Sequence, residues 1–135
     1  MAKIIPFEYF ETVLEHSVSN MRRIKKELGL AEDIVSIDYV GLTILNITKY
    51  NDDFIKTIGG VLRDSDVVSV KNNLVYLFLP GTDFEGSMNI IGDFKEFYED
   101  AFDYIVSATL LKDLKSVEDV MAELDKHALD KAWKV

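Results

Sequence analysis

The chain has no cysteine, which removes disulfides, thiolate zinc sites and a cysteine nucleophile together. Histidine is nearly as scarce, and the two present, His16 and His127, stand far apart on predicted helices, a poor basis for a metal centre. Cations are outnumbered, with 15 Lys and Arg against 24 Asp and Glu and a formal charge of -9. That field repels a phosphate backbone, so nucleic acid is not an expected partner. No apolar run approaches the roughly 20 residues needed to cross a bilayer. The opening "MAKIIPFEYF" lacks the apolar core and small-residue cleavage site of a signal peptide. The expectation is a cytoplasmic protein without membrane insertion. Internal repeats, low-complexity tracts and linkers are also missing. What is there, 135 residues of which 48% are hydrophobic, suffices for one sizeable core and one domain over 1–135.

A leader helix is expected within residues 1–30, opening at Pro6, where the missing N–H costs nothing, and stopping at Gly29 after the cationic pair Lys25 and Lys26. Phe7, Phe10, Leu14, Ser17, Met21, Ile24 and Leu28 recur alternately three and four apart. This seam packs on its own domain or, alternatively, pairs weakly with a second copy. A buried strand follows from Tyr39 to Ile47, rich in β-branched residues. In "YNDDFIKTIGGVLRD" a short helix turns Phe54, Ile55, Ile58, Val61 and Leu62 inward, with Gly59 and Gly60 permitting close packing.

The stretches "VVSV" and "LVYLFLP" read as a tight hairpin joined by "KNN". After "GTDFEG" a helix runs through "SMNIIGDFKEFYEDA", and "FDYIVSATLLK" is a fourth strand. Ser116 opens a last helix, with Asp119 three residues on and Val117, Val120, Met121, Leu124 and Ala128 as its apolar stripe. The order α-β-α-β-β-α-β-α predicts an α+β fold of the ferredoxin-like palm type, a mixed, mostly antiparallel sheet with flanking helices.

Several phrases in this order resemble the GGDEF domain, the family of diguanylate cyclases that condense two GTP molecules into cyclic di-GMP. "ILNITKY" is similar to the family's first strand, "LRDSDVV" and "YLFLPGTD" to the approach to and exit from its signature hairpin, "IVSATLL" to a later strand, and "ELDKHALDKAWK" to its closing helix. The resemblance covers a cyclase-like core over 37–135. It implies a nucleotide cyclase-like palm in which magnesium is held by an aspartate of the first strand and an acidic residue of the hairpin.

In this chain the first-strand position falls on Asn46 and the next acidic position on Thr48. The shortened turn "KNN" puts the hairpin's acidic position on Asn73 or Leu74. Two neutral groups do not offset the dehydration of a divalent ion as two carboxylates do, and Lys71 adds a positive charge there. No metal or cofactor is therefore expected. Asp52 can be matched to the family's guanine-reading aspartate, but the preferred reading is a helix-start acid favoured by the dipole. Arg63 and Asp66 form an Arg-x-x-Asp pattern where active family members bind cyclic di-GMP, and arginine chemistry suits that ligand. The alternative is a pair that ends a helix and caps a turn.

The other polar residues read as structure. His127 is expected at the rim of the last helix's stripe, His16 in solvent, Trp133 over a core edge, and Glu96, Glu99, Asp100 and Asp103 on a solvated face. The functional expectation is a catalytically inactive GGDEF-like domain acting as a regulatory or protein-interaction module in signalling. The alternatives are a cyclic di-GMP receptor through Arg63 and Asp66, and, behind it, an active nucleotidyl cyclase.

Overall fold

The computed structural model describes residues 1–28, 38–47, 51–98 and 102–135. Its elements are β1 (Lys3–Ile4), a single 3-10 turn over Phe7–Tyr9, α1 (Phe10–Leu28), β2 (Tyr39–Asn46), α2 (Asp52–Val61), β3 (Val67–Lys71), β4 (Leu74–Pro80), α3 (Phe84–Phe97), β5 (Asp103–Leu110) and α4 (Val117–Asp130). The five strands form one sheet in the order β1-β3-β4-β2-β5, every pairing antiparallel except β1 with β3. This is the mixed, mostly antiparallel sheet with flanking helices that the order of elements predicts.

β2 lies between β4 and β5, paired with β5 along its whole length and with β4 from Val40 to Asn46. Because alternate side chains of a strand point to opposite faces, its apolar run divides by parity. Val40, Leu42 and Ile44 enter a core with Phe10, Leu14 and Val18 of α1 and Met121 and Leu124 of α4. Leu45 and Ile47 enter a second core with Phe54 and Ile58 of α2 and Ile91 and Phe94 of α3. Tyr76 and Phe78 of β4 fall in the first core, and Val75, Leu77 and Leu79 in the second. Continuous apolar strands are what a sheet covered by helices on both faces requires.

Gly41 lets α3 come down onto β2. A Cβ there would meet the Ser87 side-chain oxygen and the carbonyls of Leu79 and Thr82, each at 3.1 Å. Asp83 caps α3 by accepting from the Gly86 backbone N–H at 2.8 Å. That cap starts the helix at Phe84, ahead of the expected "SMNIIG" segment. Ser116 caps α4 as expected, accepting from the Asp119 N–H at 3.0 Å.

Four expectations need correction. Helix α1 begins at Phe10 rather than at Pro6, since a 3-10 turn intervenes. The two-residue strand β1, too short for any period to show, was not expected; it adds a fifth strand and pairs in parallel with β3. Val61 is not on the inner face of α2, where Gly59 sits instead. Of the two helix glycines, only Gly59 is tightly packed, 3.0 Å separating a Cβ there from Ile4 Cδ1; Gly60 faces open space. The helix stop at Gly29 lies outside the described residues.

The seam of α1 divides in two. Phe10 and Leu14 are fully buried, and Phe7 and Met21 pack against the same core, whereas Ile24 and Leu28 are 48% and 67% exposed. The first half therefore belongs to its own domain. A charge at Leu14 should cost on the order of 4 kcal/mol or more of unfolding free energy, while Ile24→Asp should stay within about 0.5 kcal/mol of wild type. Urea unfolding followed by circular dichroism compares the two, and equal effects would contradict the packing described.

Candidate functional site

The hairpin places the expected positions at two ends. Strands β3 and β4 pair from Val67 with Phe78 to Lys71 with Leu74, leaving Asn72 and Asn73 as the turn. Asn72 adopts φ 56, a left-handed conformation that asparagine tolerates better than most side chains. At this end Asn46, the last residue of β2, lies between Leu74 on β4 and Asp103 on β5. The Ile47 N–H donates to the Asn73 carbonyl at 3.0 Å. The first-strand and hairpin positions thus come together as the resemblance implies. Thr48 lies outside the described residues.

The donors at this end are mostly neutral. Leu74 is buried in the core below α1 and α4, so of the two candidate hairpin positions only Asn73 is exposed. The carboxylate nearest in register, Asp103, is ion-paired with Lys131, the residue that caps the end of α4, at 3.1 Å. Lys71 stands over the Phe7 ring, 5.1 Å from its centroid. Among the described residues no group of three or more His, Cys, Asp or Glu is placed to hold a metal ion. Two amides and a carboxylate already paired with lysine do not fit magnesium, which selects anionic oxygens in octahedral array.

Tyr76 is the polar residue in this region that the sequence reading missed. It is buried against Phe7 and Phe10, and its hydroxyl lies 3.3 Å from the Asp125 carboxylate of α4. Burial, and then the Asp125 charge and hydrogen bond, push its phenol far above the ordinary value of 10.0. A tyrosine inside the apolar run "LVYLFLP" was a signal for such a partner, because a buried hydroxyl needs one.

Arg63 and Asp66 meet at the opposite end of the hairpin, about 20 Å along its length from the turn. Asp66 is 1% exposed and accepts from the Arg63 backbone N–H at 2.9 Å and from its guanidinium at 2.9 and 3.3 Å. The same guanidinium donates to the Pro80 carbonyl at 2.7 Å and to the Thr82 hydroxyl at 2.9 Å. The pair ties the end of α2 to the exit of β4. Asp52 opens α2 one residue after its cap, Asn51, and is bridged to Lys56 at 3.0 Å.

The remaining polar candidates fall on the surface. His16 and His127 are exposed, His16 lying 3.4 Å from Asn20, and Glu96 is exposed as well. Trp133 is buried against the core as expected. Glu99 and Asp100 lie outside the described residues.

No protein-family model matches the chain, and no curated protein does. A crystal structure of a DGC (diguanylate cyclase) protein from Thermotoga maritima is similar in fold, with a TM-score of 0.59 and 15% identity over 93% of this chain and 95% of that one. The chain has a diguanylate cyclase-like fold. At that identity the likeness is one of architecture, and the ferredoxin-like palm expected from the order of elements, with the cyclase-like form the resemblance implies, is the one observed. No described helix is long and apolar enough to cross a membrane.

Two measurements probe these sites. Asp66→Ala should cost on the order of 2 kcal/mol in urea unfolding and Asp66→Asn less, because the amide oxygen still accepts from Arg63. A stability unchanged by both would show that the tie contributes nothing. Tyr76 in the folded chain keeps its proton where an unfolded tyrosine ionises, so its stabilisation is complete below pH 10 and is lost as pH rises through its folded value. The unfolding free energy should therefore fall with pH above about 10, and Tyr76→Phe should flatten that slope.

Proposed function

We propose that this chain is a catalytically inactive GGDEF-like domain that serves as a regulatory or protein-interaction module in signalling. The observation that carries the reading is the chemistry at the turn end of the sheet. Where the fold brings the first strand and the hairpin together, this chain offers Asn46 and Asn73, with Lys71 close by and Asp103 engaged by Lys131. Phosphoryl transfer depends on cations that neutralise developing phosphate charge, and these side chains supply little to hold them. What the domain has is the scaffold, a sheet with a core on each face and helices covering both, which suffices to present surfaces to a partner.

The alternative, a receptor for cyclic di-GMP through Arg63 and Asp66, asks more of the pair. Arg63 would have to leave the Pro80 carbonyl and Thr82, and the Asp66 carboxylate is already buried. Two measurements address the two readings. With GTP and magnesium, chromatography of the products should show no cyclic di-GMP above a blank without protein, and calorimetric titration with cyclic di-GMP should give no saturable heat. Clear product would overturn the inactive assignment; saturable heat abolished by Arg63→Ala would establish the receptor instead.

A further inference from the structure

Strand β5 forms one edge of the sheet. It pairs with β2 in unbroken register over its eight residues and, among the described residues, no strand lies along its outer side. The opposite edge is β1, two residues long and carrying Lys3. Exposed edges are ordinarily blunted by brevity, charge, proline or a bulge. β1 is so blunted, whereas the run Tyr104 to Leu110, "YIVSATL", has none of these devices. One bond fixes the direction of its backbone groups: the Leu111 N–H donates at 2.8 Å to the carbonyl of Asp38, the residue opposite it in the β2 register. Hydrogen bonding alternates along an antiparallel pair, so Ile105, Ser107 and Thr109 bond to β2, while Tyr104, Val106, Ala108 and Leu110 turn N–H and C=O outward. Two of these outward groups are satisfied within the chain. The Tyr104 N–H donates to the Asp103 carboxylate at 2.9 Å, and the Leu110 carbonyl accepts from the N–H groups of Asp113 and Leu114 at 2.9 and 3.1 Å.

We propose that β5 pairs antiparallel with β5 of a second copy of this chain, Ser107 facing Ser107 on the two-fold axis. In this register Val106 exchanges both its bonds with Ala108 of the other copy, and the Leu110 N–H meets the Tyr104 carbonyl. The remaining juxtaposition, Tyr104 N–H against Leu110 carbonyl, joins the two groups that each chain satisfies internally, so no free group is left facing an engaged one. Centring the pair on Val106 would set the engaged Tyr104 N–H against the free Ala108 carbonyl, and centring it on Ala108 would set the engaged Leu110 carbonyl against the free Val106 N–H. The edge is thus complementary to itself in one register, which selects a second copy over an arbitrary extended peptide. Facing side chains agree, with Val106 opposite Ala108, Ile105 opposite Thr109, and no charged residue in the paired run. On the α4 side a groove of about 220 Å³, lined by Ile105, Ser107 and Thr109 with Glu123 and His127, leaves room for the side chains of an added strand. The contact is isologous and closes at two copies, since β1 offers no comparable edge. One strand pair is small beside the roughly 1,200 Å² of a stable interface, so the dimer is reversible. The inference goes beyond the inactive-module reading and does not depend on it.

Light scattering and sedimentation equilibrium should show the mass of the wild-type chain rising with concentration towards that of a dimer and no further. The chain has no cysteine, so single cysteines report the register. Under a mild oxidant such as diamide, Ser107→Cys should give a covalent dimer, because a non-hydrogen-bonded pair brings Cα atoms to about 4.5 Å. Thr109→Cys should give little, since its two copies lie roughly 13 Å apart along the strands. Ser107→Lys and Ser107→Glu should each raise the concentration for half-association at least about fivefold. An equal mixture of the two should reverse that loss, lysine then facing glutamate. Cysteine is nearly isosteric with serine, so the cross-linking comparison stands whatever the charged variants do to folding. A wild-type chain that stays monomeric at every accessible concentration overturns the proposal, as does cross-linking at Thr109 equal to that at Ser107. Turnover of GTP by any of these proteins would bear on the inactive assignment and not on the strand pairing.

Discussion

The antiparallel pairing of β2 with β4 is the constraint on which the rest of the structure depends. Seven consecutive residue pairs, from Val40 with Pro80 to Asn46 with Leu74, join two strands that are apolar on both faces. Neither strand can tolerate a solvated face, so helices must cover the sheet twice, and the parity of each side chain decides which pair of helices it meets. A slip of one residue would exchange the contents of the two cores. The close approach of α3 at Gly41 and the Tyr76 contact with Asp125 both presuppose this register.

Electrostatics is organised locally against a strongly negative whole. The buried carboxylates that are described are paired with cations: Asp38 with Lys25 and Asp66 with Arg63. Lone buried charges are costly, and their partners here also connect elements distant in sequence or fasten a turn. Asp38 and Lys25 tie the start of β2 to α1, while Arg63 reaches Pro80 and Thr82 across the hairpin's open end. The turn end carries amides and lysines instead. The two ends of one hairpin thus differ in chemistry, one cross-linked and acidic below its surface, the other neutral to basic.

Much of the architecture was legible because it is written in periodicity. The apolar runs of β2 and β4 announced buried central strands, and Ser116 with Asp119 marked the start of α4. β1 was not legible, because two residues carry no period and its pairing with β3 is a long-range event. The α1 seam misled in part: its spacing continues to Leu28, but the core that makes spacing matter stops near Met21. Val61 was placed inward by helical spacing, yet burial there passes to Gly59, beside Ile4, a contact that local pattern does not encode. At the site, the convergence of Asn46 and Asn73 followed from the order of strands. The engagement of Arg63 by Thr82 did not, since a tetrad in sequence says nothing of what lies across a sheet.

The two-residue turn at Asn72 and Asn73 also restricts how this chain can change over evolutionary time. A single residue inserted within β3 or β4 would reverse the facing of every side chain beyond it in that strand and disorder both cores. Residues inserted at the turn leave the register of the strands unchanged, because the ladder closes at Lys71 and Leu74 and Asn72 and Asn73 are exposed. A longer, acidic loop can therefore be gained or lost at that point while the scaffold stays intact. The chemistry carried at the hairpin tip and the integrity of the fold are in this sense separately heritable, and a lineage can alter the first without endangering the second.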